Sequence, residues 1–285
     1  MAKKRRTGRR GGAAARGPSA IAAVHHHLDR GGKDCRKLKF GIAGFDKLFR
    51  EGIPEGSAVL VEGGPGSGKT ILSLQIAHAA ARKGMRVLYM SFEEPEHRLR
   101  AHMEHFGWHT QQLEAQGLFR LKRFNSLDIA RSVEALLSEA KKELLIEIQP
   151  VLIPKDFKPE IVCVDSLSAI ASAFSGEESR FRVYMEQLFR YLESNGITSF
   201  LIREVANPVH IGLTYVEPGE AVSFLSDGII VLYNVVYPNG KRTRAIEVLK
   251  MRGEEIDRRI VEAEIKRWGW AVYPRRPIKG NYKMT

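Results

Sequence analysis

The eight residues GGPGSGKT, Gly63 to Thr70, bring together what is needed to hold a phosphate chain. Glycines let the backbone curl so that successive N–H groups face one point, and a helix that follows adds positive partial charge. The spacing fits G-x-x-x-x-G-K-[ST], the P-loop pattern, whose mechanism needs a strand before it and a helix after it. Gly64, Pro65, Gly66, Ser67, Gly68, Lys69 and Thr70 are therefore the expected nucleotide-binding residues. Lys69 is expected to reach the β- and γ-phosphates, and the Thr70 hydroxyl to ligate Mg²⁺.

Two further acidic features end apolar strands. IVCVD closes on Asp165, which fits the second Mg²⁺ anchor of such a site. RVLYMSFEEP runs from an apolar strand into Glu93 and Glu94. Carboxylates in such a place are costly unless paired or used. Ligands of open parallel sheets bind at the carboxyl ends of the strands, where all three features lie. The Glu pair is thus expected beside the γ-phosphate, one member activating water and the other tuning it or holding a structural contact.

The surrounding pattern must position these residues. Ser57–Gly64 reads as a buried strand, Thr70–Gly84 as a helix, and Arg86–Ser91 as a second strand. A helix starts near Pro95 and stops at Gly107. Leu127–Ala140 and Ser179–Gly196 have helical spacing, and Ile161–Ser166, Ile197–Ile202 and Gly228–Val235 read as core strands. RAIEVLKMRG and RRIVEAEIKRWGWAVY read as antiparallel strands, with Trp268 and Trp270 alternating and facing one way; these could stack on adenine across an interface, but packing or a subunit contact is the preferred reading. Strands alternating with helices predict an α/β fold: a mostly parallel central sheet, helices on both faces, and antiparallel C-terminal strands. The expected organisation is a basic tail over 1–36, one domain over 37–275, and a C-terminal tail over 276–285. Leu144–Glu160, with three prolines, is too long for a simple helix-to-strand connection and reads as an insertion.

The chain has 285 residues, 44% of them hydrophobic, and no apolar run long enough to cross a bilayer. The N-terminus lacks the apolar segment of a signal peptide, so a cytoplasmic protein with two reduced cysteines, Cys35 and Cys163, is expected. Net charge is +12, and seven of the basic residues fall in the first twenty with no acid among them. Such a tail either binds nucleic acid without sequence specificity or simply keeps the protein in solution. His25–His27 lie in the same segment, where no fixed geometry would hold a metal.

These motifs together resemble the KaiC-like ATPases of the RecA superfamily. The resemblance covers nearly all of Leu38–Tyr273 and rests on GIAGFDKLFREGIPEGSAVLVEGGPGSGKT, SFEEP, IVCVDSLSAI, FLSDGIIVLYNV and RAIEVLKMRG, in that order. The double Glu and the LKMRG strand are its most KaiC-like parts. The resemblance implies a RecA-like fold and an ATP-hydrolysing protein that assembles with itself as a ring, usually a hexamer, with ATP and Mg²⁺ between subunits. It also implies that Glu93 rather than Glu94 is the catalytic base, and that Lys250 and Arg252 reach the γ-phosphate of the neighbouring subunit. Cations there would neutralise charge developing in the transition state. Without the resemblance, Lys250 and Arg252 are charges on one face of an exposed strand.

The chain departs from the pattern in three ways. It is long enough for one domain of the family's tandem pair. Where the autophosphorylating branch has a Ser-Thr pair, this chain has Ser223-Phe224. The insertion is also unusual. Two other functions fit the same motifs: a DNA-handling recombinase paralogue, and a slow nucleotide-gated scaffold that signals to a protein partner. The segments expected to grip DNA, Ala171–Arg182 and Val205–Val222, carry Glu177, Glu178, Glu217 and Glu220, which disfavours a phosphate-tracking channel.

Overall fold

The computed structural model describes residues 36–140, 153–154, 156–205 and 220–284. The basic tail, up to Cys35, lies outside them, as do most of the insertion and residues 206–219 of the Val205–Val222 stretch. Arg36–Thr285 form one compact unit.

Its ten-stranded sheet is organised around three short strands in which every residue is buried: β3 (Ala58–Gly63), β4 (Val87–Ser91) and β6 (Ile161–Asp165). Near-continuous apolar runs of this kind belong to strands covered on both faces. With β5 (Phe119–Arg123), β7 (Thr198–Glu204) and β8 (Gly228–Val236) they form the parallel part, in the order β5-β4-β6-β7-β3-β8. The antiparallel strands β9 (Arg242–Met251), β10 (Val261–Lys266) and β11 (Gly269–Pro277) extend it beyond β8. A separate small ribbon pairs β1 (Lys37–Leu38) with β2 (Ile53–Pro54).

Alternate residues of each strand face alternate layers. Val59 and Val61 join one core with Leu72 and Ile76 of helix α1 (Lys69–Arg82). Ala58 and Leu60 join the other. That second core also holds Leu167 and Ile170 of a short helix, Leu167–Ser172, and Tyr184, Met185, Leu188 and Leu192 of the helix Glu178–Ser194.

The C-terminus differs from the expected tail. Strand β11 runs to Pro277, and β12 (Lys283–Met284) pairs antiparallel with Val235–Val236 of β8. The reason is that β8 outlasts its neighbour: pairing with β3 stops at Gly63↔Leu232, leaving backbone groups that a returning chain satisfies. The two tryptophans are also not equivalent. Trp268 lies in the turn between β10 and β11 and is 57% exposed, whereas Trp270 is the second residue of β11 and is fully buried. The end of the insertion is anchored, with Phe157 buried beneath the Arg120 guanidinium, 4.5 Å from its ring centre.

His78, on α1, stacks on Trp108 at 6.1 Å, and burial, helped by Arg82 and His109, lowers its pKa to about 4. The folded imidazole is therefore neutral near pH 5, where the unfolded one is already charged. Stability is full above about pH 6.5 and falls as pH drops toward 4, by about 2 kcal/mol for this group. Urea unfolding at pH 7 and pH 4.5 should show a smaller acid loss for His78→Gln than for the wild type.

Candidate nucleotide site

The end of β3 turns sharply into α1, and the turn is the glycine-rich loop. Gly68, at the helix N-cap, has φ +100°, a conformation that favours glycine. A Cβ there would also lie 2.8 Å from Ile265 and 2.9 Å from the Trp270 ring. No side chain caps α1, so its first N–H groups are left to the loop and whatever the loop holds. The buried Lys69 ammonium donates to the carbonyls of Gly63 (2.9 Å) and Gly64 (3.0 Å) and lies 3.5 Å from Glu204.

Register brings the other residues alongside. Gly63 pairs with Glu204 across β3 and β7, and Ser91 with Asp165 across β4 and β6. The loop, Glu204, Asp165 and the segment carrying Glu93 and Glu94 thus sit at one end of the sheet. They line a common cavity of about 360 Å³, together with Gly66, Gly68, Lys69 and Thr70.

Asp165 is only 4% exposed, accepts a 2.7 Å hydrogen bond from Tyr89, and is hydrogen-bonded to Thr70. Burial raises its pKa to about 6; these hydrogen bonds oppose the rise, while Glu93 and Glu94 add to it. A cluster of carboxylates that cannot all ionise cheaply is what a divalent cation relieves. Thr70 and Asp165 supply hard oxygen donors of the kind Mg²⁺ prefers.

The two glutamates part company. Glu93 accepts a short hydrogen bond from the Ser166 hydroxyl, next to Asp165, and Ser166 also accepts from the Ala169 N–H as the N-cap of the helix Leu167–Ser172. Glu94 turns to helix α2 (Glu96–His105), 4.0 Å from Arg98 and 3.9 Å from His102.

Lys250 and Arg252 do not line this cavity. Lys250 pairs with Ile229 and Met251 with Gly228, at the amino end of β8, whereas the loop end of β3 pairs with Leu232. The offset along the strand is about 10–13 Å. Lys250 donates to the carbonyls of Ser223 (3.1 Å) and Ser226 (2.5 Å), and Arg252 to that of Phe224 (2.6 Å), beside the 71% exposed Phe224 ring. Partial burial and neighbouring Arg252 lower the Lys250 pKa, against the pull of Asp227.

Three contributors carry no local sequence signal. Arg244 lines the cavity, and its buried Nε has no hydrogen-bond partner. Asn234, its partner across β8 and β9, donates to the Pro65 carbonyl at 3.1 Å. Trp270 donates its indole N–H to the Gly68 carbonyl (3.2 Å), while its backbone N–H donates to Gln75 (2.7 Å). All three reach the site through long-range strand pairing.

A glycine loop between a buried strand and its helix, an acidic strand end nearby, and antiparallel strands added to a parallel sheet define a RecA-like P-loop fold. Within that class the chain belongs to the KaiC ATPase family: the family model described as "ATPase: KaiC" matches residues 38–276. It is similar to the UPF0273 protein PH0284 of Pyrococcus horikoshii, 30% identical over 251 residues, which covers 86% of this chain and 96% of that protein. The circadian clock protein KaiC3 of Synechocystis is 31% identical over 229 residues, covering 80% of this chain but 43% of that longer protein. Among solved structures, the KaiC-like protein PH0186 of Pyrococcus horikoshii superposes with a TM-score of 0.66 at 27% identity, covering 84% of this chain and all of that one. Among the described residues, no helix is long and apolar enough to cross a membrane.

Proposed function

We propose that the protein is a Mg²⁺-dependent ATPase working as a homo-oligomeric ring, a hexamer, in a regulatory role in the cytoplasm. The observation that carries this reading is the convergence of Lys69, Thr70, Asp165 and Glu93 on one cavity at the carboxyl ends of adjacent strands. The loop amides and Lys69 bind the phosphates of ATP, and Thr70 and Asp165 hold Mg²⁺. The cation, when bound, neutralises phosphate charge. Glu93, oriented by Ser166, takes the proton of the attacking water. Glu94 keeps α2 against the site through Arg98 and His102. Arg244 supplies a further cation from the same subunit.

Lys250 and Arg252 act across the subunit interface, because their end of the sheet faces away from their own loop. Phe224 beside them offers an apolar contact to the neighbour. The domain responsible is the compact unit that begins at Arg36 and includes the C-terminal strands β11 and β12, and residues 1–20 bind nucleic acid without sequence specificity. The recombinase reading draws no support from the first loop stretch, where Arg180 pairs with Glu177 at 2.7 Å and Arg182 with Glu186 at 3.3 Å.

Mass measurement with and without ATP and Mg²⁺ tests assembly, and Lys69→Ala should lose nucleotide binding. Interface action has its own test. Arg252→Ala and Glu93→Gln are each expected to be inactive alone. Mixed, they should regain part of the activity, since some interfaces then hold an intact base opposite an intact arginine. Two folded variants that co-assemble without any recovery would exclude action in trans.

A further inference from the structure

We propose that a second cavity, sharing Phe106 with the nucleotide site, binds a phosphate-bearing nucleobase, either as a free nucleotide or within a single strand. This cavity, of about 510 Å³, lies along the far half of α1. Its size is in the range of small-molecule sites.

Its walls match that ligand in two ways. The first is a run of stacked rings. Phe106 and Trp108 stack at 4.7 Å between centres, with 21° between planes, and His78 stacks on Trp108 at 6.1 Å and 23°. Trp268, more than half exposed at the β10–β11 turn, adds an aromatic face to the rim. Trp108 and His78 are buried and back the wall, while Trp268 and the half-buried Phe106 present aromatic faces of the kind that stack on bases with little regard to sequence. The second is charge. Arg82 and Lys83, exposed near the end of α1, line the cavity, and among the described residues no Asp or Glu does. His78, buried behind Trp108, stays neutral at physiological pH and adds no charge to the cationic rim. An acidic peptide would satisfy the cations and leave the rings unmatched; a base with its phosphate satisfies both.

The position also connects the two cavities. Gln75, which lines the second, accepts the Trp270 backbone N–H, and the Trp270 indole holds the Gly68 carbonyl of the phosphate loop. A ligand in the second cavity therefore touches the same helix that begins with Lys69 and Thr70.

The test uses the full chain saturated with Mg²⁺ and a non-hydrolysable ATP analogue, titrated separately with AMP and with a short oligothymidylate. Wild type is compared with Trp268→Ala and Arg82→Ala, both at exposed positions where folding should be unaffected. Each variant is expected to weaken binding by about ten-fold. Weakened AMP binding identifies a free nucleotide as the occupant; weakened oligonucleotide binding with no AMP binding identifies a strand. Absence of both, or either variant binding as wild type does, overturns the proposal. Repeating the AMP titration in Lys69→Ala separates the sites: second-cavity binding persists there even where ATP binding is lost.

Discussion

Glu93→Gln should lower ATP turnover by about 10²–10⁴-fold with little change in nucleotide affinity, and Glu94→Gln should lower it far less. The asymmetry follows from where the two carboxylates are held. Ser166 fixes Glu93 at the Asp165 strand end, and Ser166 is itself fixed as a helix cap, so the oxygen that would receive water's proton is already oriented. Glutamine keeps the shape and loses the basicity. Glu94 is turned toward Arg98 and His102, and its removal loosens α2 without taking away a proton acceptor. Steady-state hydrolysis and nucleotide binding measured on both variants decide the matter. Equal losses would leave neither residue as the base. A wild-type rate near zero, unchanged by Glu93→Gln, would instead identify a slow nucleotide-gated scaffold.

The second large effect concerns folding. Glu62, fully buried in β3 one residue before the loop, lies 2.6 Å from the Arg203 guanidinium of β7. Arg203 also donates to the Ser223 hydroxyl at 3.0 Å. Taking one partner from a buried pair leaves a charge with poor solvation, so Arg203→Ala should cost about 3–5 kcal/mol in urea unfolding. Replacing both by methionine removes the desolvation penalty along with the attraction, and should recover most of that loss. A single-variant cost below about 1 kcal/mol would show that the pair's surroundings, rather than the pair itself, keep the carboxylate stable.

The parts of this architecture that could be read from residue order are those made by neighbours in the chain. The phosphate loop lies within one strand–turn–helix unit, and Asp165 ends an apolar run, so local pattern was enough for both. Antiparallel strands after β8 were also legible. What escaped were contacts created by pairing distant strands. Asn234 reaches the loop because β8 runs parallel to β3 and past its end, and Arg244 because β9 runs back against β8. Trp268 and Trp270 looked alike because alternation assumes an unbroken strand, but the chain turns between Lys266 and Gly269, and Gly269, at φ +112°, opens the returning strand. The pairing of Lys283–Met284 depended on how far β8 outruns β3, a length that neither segment encodes alone.

The Trp270 indole reaches back 202 residues to hold the Gly68 carbonyl. During synthesis, the phosphate loop emerges from the ribosome long before its brace. A nascent chain that ends before β11 carries the whole glycine motif without the contact that steadies its last turn. Under the proposed function, the ability to bind a nucleotide would mature late in synthesis, and premature termination near the C-terminus should weaken it while leaving the motif intact.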